Sequence, residues 1–173
     1  MEFYFLLSII IVGAIVTYGV YLTITKVAEK VFEKQRFDLH NKNTSITLPL
    51  RLQAYERMSL FLERITPNNL LLRVVPSASN ALELQQILLH EVREEYNHNL
   101  AQQIYISNEA WSHIVNAMNE IVSVINQAAA EVAPDSPASE LAKKIFAQVI
   151  EKEVQPTTHA LTFLKKEIQG IFK

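Results

Sequence analysis

The chain has 173 residues, with 16 Lys and Arg against 18 Asp and Glu, no cysteine and three glycines. A near-neutral, mixed charge excludes a nucleic-acid-binding module, which needs a basic patch or stripe, and the lack of cysteine excludes disulfides and thiolate metal sites. Few glycines, many Leu, Ala, Glu, Gln and Lys, and no period-two alternation predict an all-α protein.

The amino-terminal stretch is the most apolar part of the chain. From Phe3 to Thr25 no side chain carries a charge. A helix over Phe3 to Ile24 would extend roughly 33 Å at about 1.5 Å per residue, enough to cross a hydrocarbon core of about 30 Å. Glu2 stands where a signal peptide would be basic, the apolar run is long, and no A-x-A-like cleavage site follows, so an uncleaved anchor is expected. Lys26, Lys30, Lys34 and Arg36 come directly after it, and the positive-inside bias then puts the carboxyl-terminal part in the cytoplasm. The expected fold is all-α: one N-terminal transmembrane helix followed by a cytoplasmic bundle of four to six helices. The expected location is the inner (cell) membrane, as a single-pass protein contacting lipid through residues 3–24.

The expected organisation is an anchor over 1–24, a juxtamembrane helix and linker over 25–47, a bundle over 48–154 and a C-terminal amphipathic helix over 155–173. Lys26, Lys30 and Lys34 recur every four residues and form one basic helix face. The stretch 40–47, with Asn41, Asn43, Thr44 and Ser45, has no periodicity and reads as a linker. Asn43-Thr44-Ser45 fits a glycosylation sequon, unused on a cytoplasmic side. A helix over 48–65 follows, with Thr47 as its cap and Pro49 in its first turn. Leu50, Ala54, Met58, Phe61, Leu62 and Ile65 make its buried stripe. Thr66-Pro67 stops it and caps a short helix to Val74.

A third helix begins near Asn80, which with Glu83 has capping-box spacing, and runs to about Tyr105. Ser107 caps a fourth, Asn108 to Val132, whose apolar face carries Trp111, Ile114, Val115, Met118, Ile121, Val122, Ile125, Ala129 and Val132. The loop 133–137 ends it, with Ser136 before Pro137 opening a fifth helix that carries Leu141, Ala142, Ile145, Phe146, Val149 and Ile150. After Pro156 a last amphipathic helix presents Leu161, Leu164, Ile168, Ile171 and Phe172, with Lys165, Lys166 and Lys173.

The densest run of titratable groups is His90 to His98. Glu95-x-x-His98 is one half of a di-iron carboxylate ligand pattern, but the chain holds no second copy. With Val92 at the centre of the apolar stripe, His98 lies about 120° away and His90 and Glu94 near the opposite side, at 100° per residue. No metal or catalytic residue and no cofactor is expected. His90, Glu94 and His98 form a candidate titrating cluster on the surface. Ala81, Leu84, Leu88, Val92 and Tyr96 occupy the stripe, yet its continuation is Glu95, Asn99 and Gln103, and Arg51 interrupts the apolar face of the first domain helix. Such groups cost a few kcal/mol each if buried without partners. Arg51, Glu95, Asn99 and Gln103 are therefore candidates for a buried polar network that fixes helix register or for a polar groove that receives a partner segment, with Arg51 paired to Glu95.

The runs Arg51-Leu52-Gln53-Ala54-Tyr55-Glu56-Arg57, Leu60 to Pro67 and Glu95 to Tyr105 resemble an uncharacterised family of short bacterial single-pass membrane-anchored helical proteins. That resemblance implies a bacterial inner-membrane setting and no activity. The expected function is a membrane-anchored protein-interaction or scaffolding module. The alternatives are a metal-binding or enzymatic bundle using the Glu95/His98 region and a lipid-surface protein acting through its last helix. The expected partners are a protein and lipid, with no nucleic acid, and a homo-oligomer is compatible with the pattern.

Overall fold

The computed structural model describes the backbone of residues 1–151 and 156–171, and the side chains of these except 2–12, 14, 15, 39–44 and 171. The described residues are helical almost throughout: α1 Glu2–Ile65, α2 Pro67–Val74, α3 Ala81–Asn99, α4 Asn108–Ala130, α5 Ala138–Glu151 and α6 Pro156–Ile171. Two short 3-10 turns, Val75–Ser77 and Leu100–Ile104, follow α2 and α3. The chain divides into two compact units, Met1–Leu48 and Pro49–Lys173.

The first unit is the leading part of α1. Val16, Val20, Ile24, Val27, Val31, Phe32 and Phe37 are all exposed on it. The hydroxyls of Thr17, Thr23 and Thr25 bond back to carbonyls of the preceding turn. The anchor expected over residues 1–24 is corrected here. Among the described residues no helix is long and apolar enough to cross a membrane. Lys26, Glu29 and Lys30 follow the uncharged run on the same helix. Of the expected anchor, 2–12, 14 and 15 lie outside the described side chains. With the transmembrane helix go the single-pass inner-membrane placement, the cytoplasmic assignment of the bundle and the lipid contact through 3–24, all of which were built on it.

The stretch 40–47 belongs to α1 rather than to a linker, and Pro49 sits inside that helix rather than in a first turn. Proline inside a helix removes one backbone hydrogen bond, and the division between the two units falls beside it.

In the second unit the last turns of α1 join α3, α4 and α6 in an antiparallel four-helix arrangement. Arg64 reaches Glu95 and Phe61 meets Tyr96, so α1 runs against α3. Tyr96 meets Trp111 while Gln85 bonds Asn126, so α3 runs against α4. Ser107 bonds Glu167 and His113 stacks on Phe163, so α4 runs against α6. Thr66 bonds the buried Thr157 at the far end, which closes the ring from α1 to α6. The helices α2 and α5 pack together and against α3, and α5 also lies on α4.

Phe61, Met58, Leu62, Leu84, Leu88, Ile114, Ile121, Ile125, Leu141 and Ile145 are fully buried where these helices meet, each contributing about 1.5–3 kcal/mol. The buried face of α4 is Ala110, Ile114, Ala117, Ile121, Val124, Ile125 and Ala128, turned from the expected face, with Trp111, Met118 and Val122 only partly covered. Because α3, α5 and α6 all pack on α4, it is covered on several sides, and its buried positions include Ala110, Ala117 and Ala128. Ile150 is 76% exposed and Leu50 40% exposed, against expectation. The apolar side of α6, including Ala160, Leu164 and the partly buried Leu161, Phe163 and Ile168, faces the bundle. Ile171 is described only in its backbone, while Phe172 and Lys173 lie outside the described residues.

Helix ends follow local chemistry. Asn80 caps α3 by accepting from the Glu83 amide at 2.8 Å, while the Glu83 carboxylate accepts from the Ser79 amide at 2.7 Å, one residue before the amide that a capping box would use. The next free amides of α3, on Ala81 and Leu82, donate to Ser136 and Pro134 carbonyls, which ties the 133–137 loop to this helix end. Ser107 caps α4 by accepting from the Ala110 amide. Thr66 does not cap α2 with its side chain; its hydroxyl bonds Leu62 and Thr157 instead.

Candidate functional site

The exposed side of α1 in the second unit rises as a ridge between two grooves. One, about 670 Å³, lies between α1 and α3; the other, about 530 Å³, lies between α1 and α6. Two antiparallel helices wall each groove, and the residues follow from helical spacing: positions three and four apart share a face. On the α1 wall of the first groove these are Gln53, Glu56, Arg57, Leu60 and Arg64, with Phe61 at the base. On the α3 wall they are Glu91, Glu94, Glu95, His98 and Asn99.

At one end of the α1–α3 groove an ionic latch joins three helices. Arg64 of α1 donates to Glu95 at 2.6 Å, and Arg73 of α2 pairs with Glu91 at 3.2 Å and lies 4.0 Å from Glu95. The Glu95 side chain is 19% exposed against 53% for Arg64, so the carboxylate is the desolvated partner and the guanidiniums reach it from the rim. Asn99 donates to the Glu95 backbone carbonyl at 2.8 Å, which closes the last turn of α3. Glu56, Arg57, Glu94 and His98 line the same groove and make no ion pair among the described residues.

A second polar cluster sits where α4 begins and α6 ends. Arg51 donates through Nε to the Tyr105 carbonyl at 3.3 Å. Ser107 Oγ donates to Glu167 while capping α4. Tyr55 is buried, 3% exposed, and its hydroxyl falls short of good hydrogen-bond geometry, although Glu167 and Arg51 stand close enough to act on it. Burial pushes its phenol above the ordinary value of 10.0; the nearby Glu167 carboxylate adds to the rise and Arg51 opposes it.

The expected pair of Arg51 and Glu95 does not form: each has other partners, Tyr105 for the first and Arg64 with Arg73 for the second. Glu95 and Asn99 do meet the groove, whereas Gln103 is exposed on the 3-10 turn away from it. Of the surface cluster, Glu94 and His98 line the groove and His90 is exposed outside it. Among the described residues no three His, Asp or Glu side chains come together in a way that could hold a metal ion. Sequence reasoning missed Arg64, Arg73, Tyr55 and Glu167. The seven-residue spacing of Arg57 and Arg64, opposite the four-residue spacing of Glu91 and Glu95, was the available signal for the groove.

A family model matches residues 1–171, nearly the whole length. The chain belongs to DUF7935, a family of unknown function. This bears out the expectation of an uncharacterised family, while the family description mentions neither a bacterial setting nor an anchor. No curated protein and no solved structure matches the chain of this DUF7935 member.

Proposed function

We propose that this DUF7935 protein is a helical protein-interaction module whose binding face is the groove between α1 and α3. The observation that carries the reading is the combination of walls and base: Leu60, 56% exposed, beside the Phe61 ring, flanked by charged side chains from both helices. An amphipathic helix laid into such a groove buries one or two apolar anchors while its polar flanks meet the rims. The latch at one end fixes the separation of the walls, so the groove is formed before a partner arrives and little ordering cost falls on binding. The metal or enzymatic alternative has less support, since Glu95 is taken up by Arg64 and Arg73. The lipid-surface alternative has less too, since the apolar side of α6 is turned into the bundle.

Selection of amphipathic helical peptides on the full chain tests this. Binders should lose at least tenfold in affinity on Leu60→Asp and be unaffected by Leu82→Asp, a change at an exposed leucine of α3 outside the groove. Equal sensitivity to both changes, or binders indifferent to Leu60→Asp, would overturn it.

A further inference from the structure

We propose that the occupant of the α1–α3 groove is a cationic segment: an amphipathic protein helix carrying Lys or Arg beside the apolar side chain that meets the exposed Leu60. This rests on the groove being a binding face and adds the chemistry of the partner. Four carboxylates line the groove, Glu56, Glu91, Glu94 and Glu95, against Arg57, Arg64 and His98 on its walls and Arg73 of α2 beside Glu91 and Glu95. The latch then uses the charges unequally. Arg64 and Arg73 are committed to Glu95 and Glu91, which leaves Glu56 on one wall and Glu94 on the other without an ion pair among the described residues.

A polyanion entering the groove would meet this field with repulsion, and an uncharged helix would leave the carboxylates half desolvated and unmatched. A cationic helix meets them on both sides, and charges of that sign also speed its approach. Arg57, on the α1 wall, makes no ion pair among the described residues.

The test uses the full chain and two designed helical peptides with the same apolar face, one flanked by Lys and Arg, the other by Glu. The cationic peptide should bind at least tenfold tighter, and its affinity should fall as salt shortens the screening length from about 10 Å at 0.1 M toward about 3 Å at 1 M. The preference should vanish in a Glu56→Lys, Glu94→Lys double variant, whose exposed changes leave the fold intact by circular dichroism. Equal binding of both peptides, each abolished by Leu60→Asp, would overturn the cationic partner and leave the groove as a binding face. Binding of neither peptide would overturn both. A preference that survives the double variant would place the attraction elsewhere and overturn the proposal.

Discussion

Replacing Tyr55 by Phe should stabilise the protein. The tyrosine ring is buried beside α6, and its hydroxyl lies near Glu167 and Arg51 without reaching good hydrogen-bond geometry. A buried, unpaired hydroxyl carries a desolvation penalty of about 1–3 kcal/mol. Removing the oxygen relieves that penalty and forfeits a few close contacts of roughly 0.1–0.2 kcal/mol each. The net change should be a gain of about 1 kcal/mol, equivalent to a rise in melting temperature of about 3 °C for a unit of this size.

Urea denaturation of the full chain, followed by helical circular dichroism and by the fluorescence of Trp111, measures it. A loss of 1 kcal/mol or more, on the scale of a net intramolecular hydrogen bond of about 0.5–1.5 kcal/mol, would show that the hydroxyl is bonded, to Glu167 or Arg51, and would refute the reasoning. The same substitution has a pH signature. Because burial raises the phenol above 10.0, the folded state prefers the protonated form. Its contribution is therefore complete below pH 10 and is lost as pH rises through the elevated value. The wild type should lose stability faster than Tyr55→Phe in that alkaline window.

Glu95→Gln should cost about 1–3 kcal/mol, between the values for exposed and buried ion pairs, and Arg64→Gln should cost less because Arg73 remains near the carboxylate; a cycle with both changes should be non-additive in urea denaturation. Arg51→Met and Glu95→Gln should add, because the two side chains share no partner, and coupling above about 0.5 kcal/mol would contradict the structure. Ser107→Ala removes the cap of α4 and the hydroxyl that donates to Glu167 together, so it should cost about 1–2 kcal/mol by thermal denaturation. Trp111→Ala should cost about 2–4 kcal/mol, less than a fully buried tryptophan, because the ring is only partly covered beside Tyr96.

Local chemistry was the most legible part of the chain. Asn80 with Glu83, Ser107, Pro67 and Pro156 mark helix ends in the sequence because a cap acts over three or four residues and needs no distant partner. Ala81, Leu84, Leu88 and Val92 were legible as a buried stripe for the same reason. The face of α4 was not, because Ala110, Ala117 and Ala128 make up much of its buried side, and a reading weighted toward large side chains turns the stripe toward Trp111 and Met118. The stretch 40–47 looked like a linker because Asn, Thr and Ser are weak helix formers, yet α1 runs through it.

Glu95 announced itself as a polar residue on an apolar face, but its partner could not be read. The cation comes from the rim through the long side chain of Arg64, with help from Arg73 on the short α2, and neither interrupts an apolar face. Arg51 offered itself as the partner by position in one helix stripe, and three-dimensional register sent it to the Tyr105 carbonyl instead. The grooves were legible only as a polar continuation of the α3 stripe, since their walls depend on how far apart two helices lie.

The central claim is that the α1–α3 groove is where this protein meets its partner. Site-specific photo-cross-linking from position 60 in the full chain, expressed in its own cells, tests it most directly when set beside the same cross-linker at position 82. The account predicts discrete adducts from position 60, absent from position 82 and lost on Glu94→Lys. No adduct from position 60, or the same adducts from both positions, would contradict it.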